Sequence, residues 1–481
     1  MAKTSDMSGY KAVHRPIFWR LKQGERKTLL FIGDLLAILL SIFIAFYFWA
    51  VQDNFFDFGA AFVRERIPNW FYLLPVFWML LMVEQYDLRR ASRRKETFTG
   101  IGIAALVTLG IYLLVFFVAE KGTLPRLGVA IFIISASLLT MGWRFAYINI
   151  FTAPLLLRRV IIVGAGRAGS TLARIVSGIW PPPFFVIGLI DDDPEKSGEM
   201  IENFTVLGGC ERLLELIEAE EVSDLVLAIS GRMSPEMFQA MIDAEEQGIT
   251  VKTMPVIYEE LLGRVPIFLL QSDWILRSFF DHVDAGEFYE MTKRLIDIFG
   301  GLLGTLVLIP LAPIISLAIV IDSGLPILYS QERMGKNGRL YRILKFRTMC
   351  QDAEKDGKAR PAVENDQRVT KVGKILRKSH LDELPQFFNV LRGDMSLVGP
   401  RAERPELVDS LQTRVPFYRA RLLVKPGLTG WAQVNYGYAS TVEETGIKLE
   451  YDLFYIKHRN LALDFNILLR TVGTVVGLRG Q

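Results

Sequence analysis

The chain has 481 residues, of which 51% are hydrophobic and 22% charged, and its 55 lysines and arginines nearly balance 52 aspartates and glutamates. So much apolar material excludes a disordered or fibrous protein, and the balanced charge argues against a nucleic-acid-binding protein. At about 150 residues for each domain, the length predicts two to four folded units. The two cysteines, Cys210 and Cys350, lie far apart and near no histidine cluster, so we expect no disulfide scaffold, no zinc site and a reducing compartment.

Four apolar runs in the first third of the chain predict a bundle of membrane-spanning helices at 29–51, 70–83, 100–119 and 127–143. A helix needs roughly 20 apolar residues, and at least about 17, to cross the hydrocarbon core of a bilayer. The second run is shorter, and a core or interfacial helix is the alternative for it. Asp34 lies near the inner end of the first run, where we expect it to snorkel or to pair within the bundle.

Basic residues in the connecting loops predict the orientation of these helices. The tail before residue 29 carries seven lysines and arginines, the loop after the first run two, the next loop five, and the loop before the fourth run two. Arg158 and Arg159 follow the last run. This alternation is what the positive-inside rule requires of four spans with both chain ends in the cytoplasm. The tail is too charged, and the first run too long, for a cleaved signal peptide.

A glycine-rich turn then follows a short apolar strand pattern at 160–163. Its sequence is Gly164-Ala-Gly166-Arg-Ala-Gly169, and such a turn lets a backbone approach a pyrophosphate at the start of a helix. Strand and helix patterns alternate after it, which predicts an α/β Rossmann-like domain with a parallel sheet. Three aspartates at 191–193 end the second strand, where a ribose-binding acid would lie. The three glycines are therefore candidate cofactor-binding residues, although we favour a regulatory or structural domain over one that binds a dinucleotide.

An NAD-dependent short-chain enzyme would also need a tyrosine and a lysine four residues apart. Tyr289 with Lys293, and Tyr341 with Lys345, have this spacing. The first pair lies just before an apolar membrane segment and the second beyond it, so we expect both matches to be chance.

That apolar segment, at 298–321, is long enough to span a membrane. Both of its flanks are basic, so neither flank is suited to the outside of the cell. Pro310 and Pro313 lie near its middle, and each removes a helical hydrogen bond and clashes with the preceding turn. We therefore predict a helix–break–helix that enters and leaves the same leaflet. An ordinary kinked span, which would place the rest of the chain outside the cell, is the alternative.

The last third of the chain combines many fixed cations with a few carboxylates. Four motifs occur in order: Lys345-Phe-Arg-Thr-Met349, Asp382-Glu383-Leu-Pro-Gln386, Met395-Ser-Leu-Val-Gly-Pro-Arg401 and Pro426-Gly-Leu-Thr-Gly-Trp-Ala-Gln433. Arginine forks bind phosphate oxygens, and carboxylates hold Mg²⁺ or attack phosphorus, so this combination suits polyphosphate chemistry. Taken alone, a charge-rich stretch is also typical of a solvated surface.

In this order after a proline-containing apolar segment, the motifs closely resemble those of the bacterial sugar transferases. These are the monotopic polyprenyl-phosphate hexose-1-phosphate transferases that start exopolysaccharide, capsule and O-antigen synthesis. The resemblance covers 285–481, and the four predicted spans with the Rossmann-like domain resemble the large members of the family. It implies transfer of a sugar 1-phosphate from a UDP-sugar to undecaprenyl phosphate, with Mg²⁺ and release of UMP. It also implies a multi-pass protein of the bacterial inner membrane whose catalytic domain faces the cytoplasm.

The resemblance also implies roles for individual residues. Asp382 would attack the sugar-linked phosphorus and form a phosphosugar–aspartyl intermediate, which the acceptor phosphate then displaces. A carboxylate is a competent nucleophile at a phosphorus whose charge is neutralised. Glu383 would help to hold Mg²⁺ or assist the acceptor, and both carboxylates are candidate metal ligands. Lys345, Arg377 and Arg401 match basic positions of the family and would bind phosphates.

Two departures from the family pattern are visible. The usual Pro-Arg-Pro is Pro400-Arg401-Ala402 here, which keeps the arginine. The usual Val-Asn-Gly-Arg is replaced at 434–437 by Val-Asn-Tyr-Gly, which leaves the identity of the sugar open. His380 lies beside the dyad, and we expect it to be incidental rather than a base.

The sequence thus predicts five segments: a basic tail at 1–28, four transmembrane helices within 29–155, a Rossmann-like domain at 156–280, a re-entrant membrane helix at 285–325 and an α-rich catalytic domain at 326–481. Its expected partners are the UDP-sugar, undecaprenyl phosphate and the lipid bilayer, and a homodimer is left open. Two other functions remain as alternatives. One is a membrane-anchored NAD-dependent nucleotide-sugar dehydratase or epimerase, and the other is a non-enzymatic scaffold of a polysaccharide complex.

Overall fold

The computed structural model forms two compact units, Met1–Ile257 and Tyr258–Gln481. Apart from a few single positions, it describes ten stretches of the chain: 23–52, 69–86, 91–118, 126–151, 157–180, 182–229, 231–269, 286–350, 368–437 and 441–476. Most of the predicted basic tail, and parts of the loops that predicted the orientation, lie outside these stretches. The predicted domain boundaries stay predictions.

The described part of the first unit opens with apolar helices. They are α1 (Gln23–Gln52), α2 (Leu74–Leu81), α3 (Arg94–Val118) and α4 (Arg126–Phe151), and α2 is flanked by 3₁₀ turns at Asn69–Leu73 and Val83–Tyr86. Three of the four are long and apolar enough to cross a membrane, whereas the helical segment that contains α2 is shorter. Pro75 occupies the first turn of α2, where a proline needs no hydrogen-bond partner. A second spanning helix at 70–83 stays a prediction.

A buried ion pair joins α1 to α4. Asp34 and Arg144 have fully buried side chains, and their closest contact joins Arg144 Nη2 to Asp34 Oδ2 at 2.6 Å. Arg144 also donates to the backbone carbonyl of Gln85 at 3.0 Å. On the same pair of helices, Gly33 leaves room for the ring of Trp143, because a Cβ there would lie 2.0 Å from it. Of the two alternatives for Asp34, the structure shows pairing within the bundle.

We expect Asp34→Asn to destabilise the first unit, because it leaves the charge of Arg144 buried without a counterion. Breaking one side of a buried pair typically costs about 3–5 kcal/mol. Thermal unfolding of the full chain in detergent, followed by tryptophan fluorescence, measures this loss. Glu218→Gln, an exposed acid of the same unit, is the control and should leave the midpoint unchanged. Replacing both partners by leucine should recover much of the loss, and a double variant as unstable as Asp34→Asn would contradict this account.

The second part of the first unit is a parallel sheet of four strands in the order β2–β1–β5–β6. The strands are β1 (Arg159–Val163), β2 (Phe185–Ile190), β5 (Asp224–Leu227) and β6 (Thr250–Thr253), with a small antiparallel pair β3 (Met200–Ile201) and β4 (Phe204–Thr205) between them in sequence. Its helices are α5 (Arg167–Ser177), α6 (Leu213–Ala219), α7 (Pro235–Glu246) and α8 (Met254–Leu262), whose end crosses into the second unit. Apolar side chains from strands and helices, among them Ile161, Leu225 and Met241, share one core. The predicted parallel sheet is confirmed.

The second unit is built on the long helix α9 (Glu287–Ser323), which is followed by an antiparallel hairpin of β7 (Leu328–Met334) and β8 (Leu340–Phe346). The remaining elements are α10 (Lys371–Lys378), α11 (Gln386–Arg392), β9 (Ser396–Val398), α12 (Pro405–Leu411), β10 (Gly427–Thr429), α13 (Trp431–Asn435), α14 (Val442–His458) and α15 (Leu461–Val476). Strands β9 and β10 pair in parallel. Val390, Leu397, Leu453 and Ile456 are among the residues of the core.

The predicted break in the apolar segment is wrong, because α9 runs without interruption through Pro310 and Pro313. Both prolines lie on the exposed side of the helix. The opposite side is held by packing: Leu308, Ile315 and Ile319 are buried in one cluster with the hairpin residue Phe346. Packing along the buried side maintains the helix where two backbone hydrogen bonds are lost. The side of the membrane on which each end of this helix lies stays a prediction.

Candidate active site

Asp382 and Glu383 lie in a short 3₁₀ turn, Leu381–Glu383, between α10 and α11. Thr370 caps the start of helix α10, because its hydroxyl accepts a hydrogen bond from the Gly373 amide at 3.0 Å. The chain leaves α10 through His380, which has a left-handed backbone with φ of 57°. This conformation is uncommon for residues other than glycine, although histidine adopts it more often than most. The turn directs the chain from one helix into the next and places the dyad between them.

Glu383 is held by two cations. Lys345 Nζ lies 2.6 Å and Arg401 Nη2 3.1 Å from the same oxygen, Glu383 Oε1. Burial alone would raise the pKa of Glu383, but the charges of Lys345 and Arg401 hold it well below its usual value. Glu383 is therefore an ionised carboxylate, and Lys345 and Arg401 meet beside it although 56 residues separate them in sequence.

Asp382 has the opposite environment. Its side chain is buried, and no hydrogen bond or ion pair joins it to another of the described residues. Burial, followed by the charge of Glu383, raises the pKa of Asp382, and Lys345, Arg377 and Arg401 oppose this rise. Two adjacent carboxylates thus differ in role: one is fixed in an ion pair, and the other is surrounded by cations but bonded to none. A carboxylate that is not held in an ion pair has oxygens available to attack an electrophile.

Arg377 approaches the dyad from the last turn of α10. Its Nε donates to the hydroxyl of Thr348 at 2.9 Å, and Thr348 follows strand β8. Burial lowers the pKa of Arg377, and the charge of Asp382 opposes that change. The structure thus places all five residues predicted for this site around one turn, with Lys345, Arg377 and Arg401 as its cations.

A buried network fixes the backbone at Arg401. Arg421 donates from Nη2 to the Arg401 carbonyl at 2.9 Å and pairs with Asp452 at 2.9 Å. Glu403 lies 3.6 Å from the same guanidinium, and Arg421 and Lys448 lower its pKa against the effect of burial. This network sets the position from which the Arg401 side chain reaches Glu383.

The sequence did not single out Asn389, which connects α11 to the strand that carries Lys345. Its side chain is fully buried. It accepts from the Leu344 amide at 3.1 Å and donates to the Arg342 carbonyl at 2.8 Å. The signal that could have identified it is an amide within the apolar run Phe387-Phe388-Asn389-Val390-Leu391. Arg347 was also missed, and it caps the end of α9 by donating to the carbonyls of Ser323 and Gly324.

The glycine turn of the first unit has the tight geometry that its sequence predicts. Gly164 has φ of 107°, and a Cβ on Gly169 would lie 1.9 Å from the Gly164 carbonyl oxygen. The turn already binds an anion from its own chain, because the Ala165 amide donates to Asp191 Oδ2 at 2.7 Å. Although burial would raise the pKa of Asp191, bonds from the Ala165 and Asp193 amides and from Lys196 lower it. Asp191 thus occupies one amide of the turn that contains the candidate cofactor-binding glycines.

The two carboxylates of the dyad can hold Mg²⁺ only together with ligands from outside the described residues. Within the part of the chain that the structure describes, no three His, Cys, Asp or Glu side chains form a metal-binding group. Mg²⁺ is commonly held by one or two carboxylates together with substrate phosphates and water. Asp382 and Glu383 supply two such carboxylates next to the cations Lys345, Arg377 and Arg401, so these residues fit an ion that is completed by phosphate oxygens and water.

Comparison with known proteins gives the family. Residues 288–477 match the bacterial sugar transferase family, and residues 82–255 match a CoA-binding domain. Over 190 residues the chain is 43% identical to the UDP-glucose:undecaprenyl-phosphate glucose-1-phosphate transferase of Caulobacter vibrioides, covering 39% of this chain and 70% of that protein. The chain belongs to the bacterial sugar transferase family.

Two other relatives match a larger part of this chain than the Caulobacter protein does. The chain is 42% identical over 228 residues to the UDP-N-acetylgalactosamine-undecaprenyl-phosphate N-acetylgalactosaminephosphotransferase of Aeromonas hydrophila, covering 47% of this chain and 52% of that protein. It is 30% identical over 330 residues to the undecaprenyl-phosphate glucose phosphotransferase of Komagataeibacter xylinus, covering 66% of this chain and 59% of that protein. The chain thus spans between half and three fifths of the length of these two relatives.

Proposed function

We propose that this protein transfers a sugar 1-phosphate from a UDP-sugar to undecaprenyl phosphate and releases UMP, as the first membrane step of exopolysaccharide, capsule or O-antigen synthesis. The observation that carries the proposal is the pair of unequal carboxylates at 382 and 383. Asp382 is buried among cations without bonding to them, and Glu383 is ion-paired to Lys345 and Arg401. The activities for which the relatives from Aeromonas hydrophila, Caulobacter vibrioides and Komagataeibacter xylinus are named agree with this chemistry.

In the proposed reaction, a carboxylate oxygen of Asp382 attacks the phosphorus that carries the sugar. The bond from this phosphorus to the bridging oxygen breaks, and UMP leaves with that oxygen. A phosphate oxygen of undecaprenyl phosphate then attacks the same phosphorus and displaces Asp382, which returns to its free carboxylate. Arg377 and Arg401 would bind non-bridging oxygens of the donor diphosphate, because arginine forks match phosphate geometry.

Asp382 and Glu383 would also hold Mg²⁺. When bound, Mg²⁺ supplies charge neutralisation to the donor phosphates. Lys345 keeps Glu383 ionised at 2.6 Å, which preserves one carboxylate for this purpose. Its own charge lies close enough to the dyad to stabilise negative charge that develops on the transferred group.

The membrane arrangement that we propose has four spans in the first unit, and in the second unit it has α9 as an unbroken helix that does not cross the bilayer and keeps both of its ends on the cytoplasmic side. Both ends of α9 contact the same folded unit: Lys293 pairs with Asp464 at 2.8 Å, and Ser323 accepts from Arg347 at 2.7 Å. These two positions are about 45 Å apart at ~1.5 Å for each helical residue, more than the ~30 Å of the hydrocarbon core. The outward side of α9 is apolar, with Phe299 exposed by 72% and Ile314 by 67%. A helix attached at both ends to one polar unit is more easily placed within one leaflet than across both.

This arrangement predicts that a reporter fused after residue 322 lies in the cytoplasm of the bacterial cell. Basic residues flank α9 on both sides, and a UDP-sugar donor is made in the cytoplasm, so the site must face it. Paired fusions of alkaline phosphatase and green fluorescent protein measure the side, and a fusion placed after Gln52 is the periplasmic control. High phosphatase activity after residue 322 would contradict the cytoplasmic placement of both ends of α9.

The proposed activity is tested by UMP release. Purified full-length protein in detergent is supplied with a panel of UDP-sugars, undecaprenyl phosphate and Mg²⁺. We expect continuous release of UMP with at least one donor only when acceptor and metal are both present, because without acceptor each protein molecule can release no more than the one UMP that accompanies its phosphosugar adduct. Release of no UMP from any donor by a well-folded protein would reject the proposal. Co-purification of tightly bound NAD would instead favour the dehydratase alternative.

A further inference from the structure

A second basic cleft lies in the catalytic unit, outside the dyad. The cleft is open to solvent and has a volume of about 400 Å³. None of the five residues predicted for the dyad site lines it. Lys293, Arg294 and Asp297 of α9 form one wall, and Lys336 lies in the turn of the hairpin. The other walls come from Ser396 and Val398 of β9, from Val424 and Lys425 before β10, and from Tyr455 and Arg459 at the end of α14.

The cations of this cleft fall into two groups. Lys293 is paired with Asp464, and Arg459 with Glu290, at 2.8 Å each. Arg294, Lys336 and Lys425 have no carboxylate oxygen within 4.0 Å among the described residues. Three cations that make no ion pair with the described residues therefore line one small cleft, together with the carboxylates of Glu290 and Asp297.

Lys425 is a cation of this cleft that lies close to other positive charges and is affected by burial. Burial first, and then the neighbouring charges of Arg294 and Lys336, lower the pKa of Lys425, against the attraction of Asp297. Arg294 is held in place by donating to the carbonyls of Val390 and Leu391 at 2.7 and 2.6 Å, which are neutral acceptors. A fixed guanidinium beside two ammonium groups is the arrangement that binds a phosphate, because a phosphate offers several charged oxygens at once.

The cleft lies beside an exposed apolar surface. On α9, Phe288, Met291 and Leu295 have exposed fractions of 72%, 58% and 59%, and Arg294 is adjacent to them in sequence. A cationic cleft next to exposed apolar side chains is suited to the boundary between lipid headgroups and acyl chains. The same helix can therefore place its apolar side in the bilayer and present the cleft to phosphates at the bilayer surface.

We propose that Arg294, Lys336 and Lys425 form a second anion site, which binds the phosphate group of a lipid at the membrane surface. This site is separate from the dyad, and its existence does not depend on the transferase activity. A soluble phosphate has the same binding chemistry, so the experiment distinguishes the two sources.

The test measures binding by the full-length protein in a non-ionic detergent. The probes are dioctanoyl phosphatidic acid, dioctanoyl phosphatidylcholine and inorganic phosphate, each titrated by calorimetry without UDP-sugar or Mg²⁺. We expect Lys425→Ala to weaken the binding of phosphatidic acid by about tenfold or more, since it removes one charge-assisted contact. Lys425→Arg should retain most of the affinity. Lys336→Ala, in an exposed turn where loss of folding is not expected, should weaken binding several-fold.

Arg414→Ala is the matched control, because Arg414 is an exposed cation of the same unit that does not line the cleft. Its affinity should equal that of the wild type. Binding of phosphatidic acid that exceeds binding of inorganic phosphate, and that falls in both lysine variants, supports the lipid source. Equal binding of both phosphates with the same losses supports the site but assigns it to a soluble anion. Unchanged affinity in Lys425→Ala and Lys336→Ala, or equal affinity for phosphatidylcholine, would overturn the proposal.

Discussion

Asp382→Asn is expected to abolish turnover, by about 10⁴-fold or more, because it removes the attacking oxygen charge and keeps the shape of the side chain. The substitution should affect the chemical step and leave donor binding largely intact, since Lys345, Arg377 and Arg401 are unchanged. Asp409→Asn, which alters an exposed acid of the same unit, is the control and should retain full activity. UMP release and donor binding are measured on the same preparations.

The same variant identifies the bond that forms. With radiolabelled donor and no acceptor, the wild type should accumulate a protein-bound phosphosugar that intact-protein mass spectrometry detects. The adduct should be missing in Asp382→Asn and present in Asp409→Asn. An Asp382→Asn protein that still accumulates the adduct would move the nucleophile to another residue. A wild type that turns over without ever forming it would favour direct transfer between the two substrates.

We expect the Asp382→Asn variant to fold, so that its loss of activity reflects the missing charge and not a loss of structure. The raised pKa of Asp382 means that the folded protein disfavours its ionised form. At neutral pH the charge therefore lowers the free energy of unfolding, and removing it should leave the thermal midpoint equal or higher. The proposed nucleophile is thus a residue that the fold accommodates at a cost in stability, as is common for functional groups.

The residues of the dyad and its cations could be predicted from sequence, but their contacts could not. Lys345 and Glu383 are 38 positions apart, and only the packing of strand β8 against the 3₁₀ turn brings them to 2.6 Å. Asn389 fixes that strand through hydrogen bonds to two backbone positions, and its role depends on which strand lies opposite α11. Spacing in sequence carries no information on such a contact.

One expectation failed, and one contact was not foreseen, because local sequence patterns do not reveal tertiary contacts. The local rule that two prolines break a helix was outweighed by packing of Leu308, Ile315 and Ile319 along the opposite side of α9. The glycine turn formed as predicted, but Asp191 bonds to its Ala165 amide, which the local sequence could not reveal. Alternating strand and helix patterns predict the parallel sheet, and long apolar runs predict the apolar helices. The structure agrees with the sequence on both.

Glu383→Gln is expected to slow turnover by about 10²–10⁴-fold, the range typical of lost acid–base or orienting contributions. The variant keeps the side-chain shape but removes the charge on which Lys345 and Arg401 converge. Because Asp382 is retained, the phosphosugar adduct should still form when donor is supplied alone, although more slowly. Glu406→Gln, an exposed acid of α12, is the control and should behave as the wild type. Complete loss of the adduct in Glu383→Gln would assign the bond-forming step to Glu383.

The pH dependence of this variant gives a sharper test, because Glu383 contributes to the raised pKa of Asp382. The rate should follow the ionised fraction of Asp382, so in the wild type it falls as the pH falls through that raised pKa. Removing the charge of Glu383 takes away one cause of the rise and leaves Lys345 and Arg401 free to stabilise the ionised aspartate, which lowers its pKa. The acidic limb of the profile of kcat/KM against pH should therefore move to lower pH in Glu383→Gln, while the maximum rate is reduced. An acidic limb that stays in place or moves to higher pH would show that the ionisation that limits the rate is not that of Asp382.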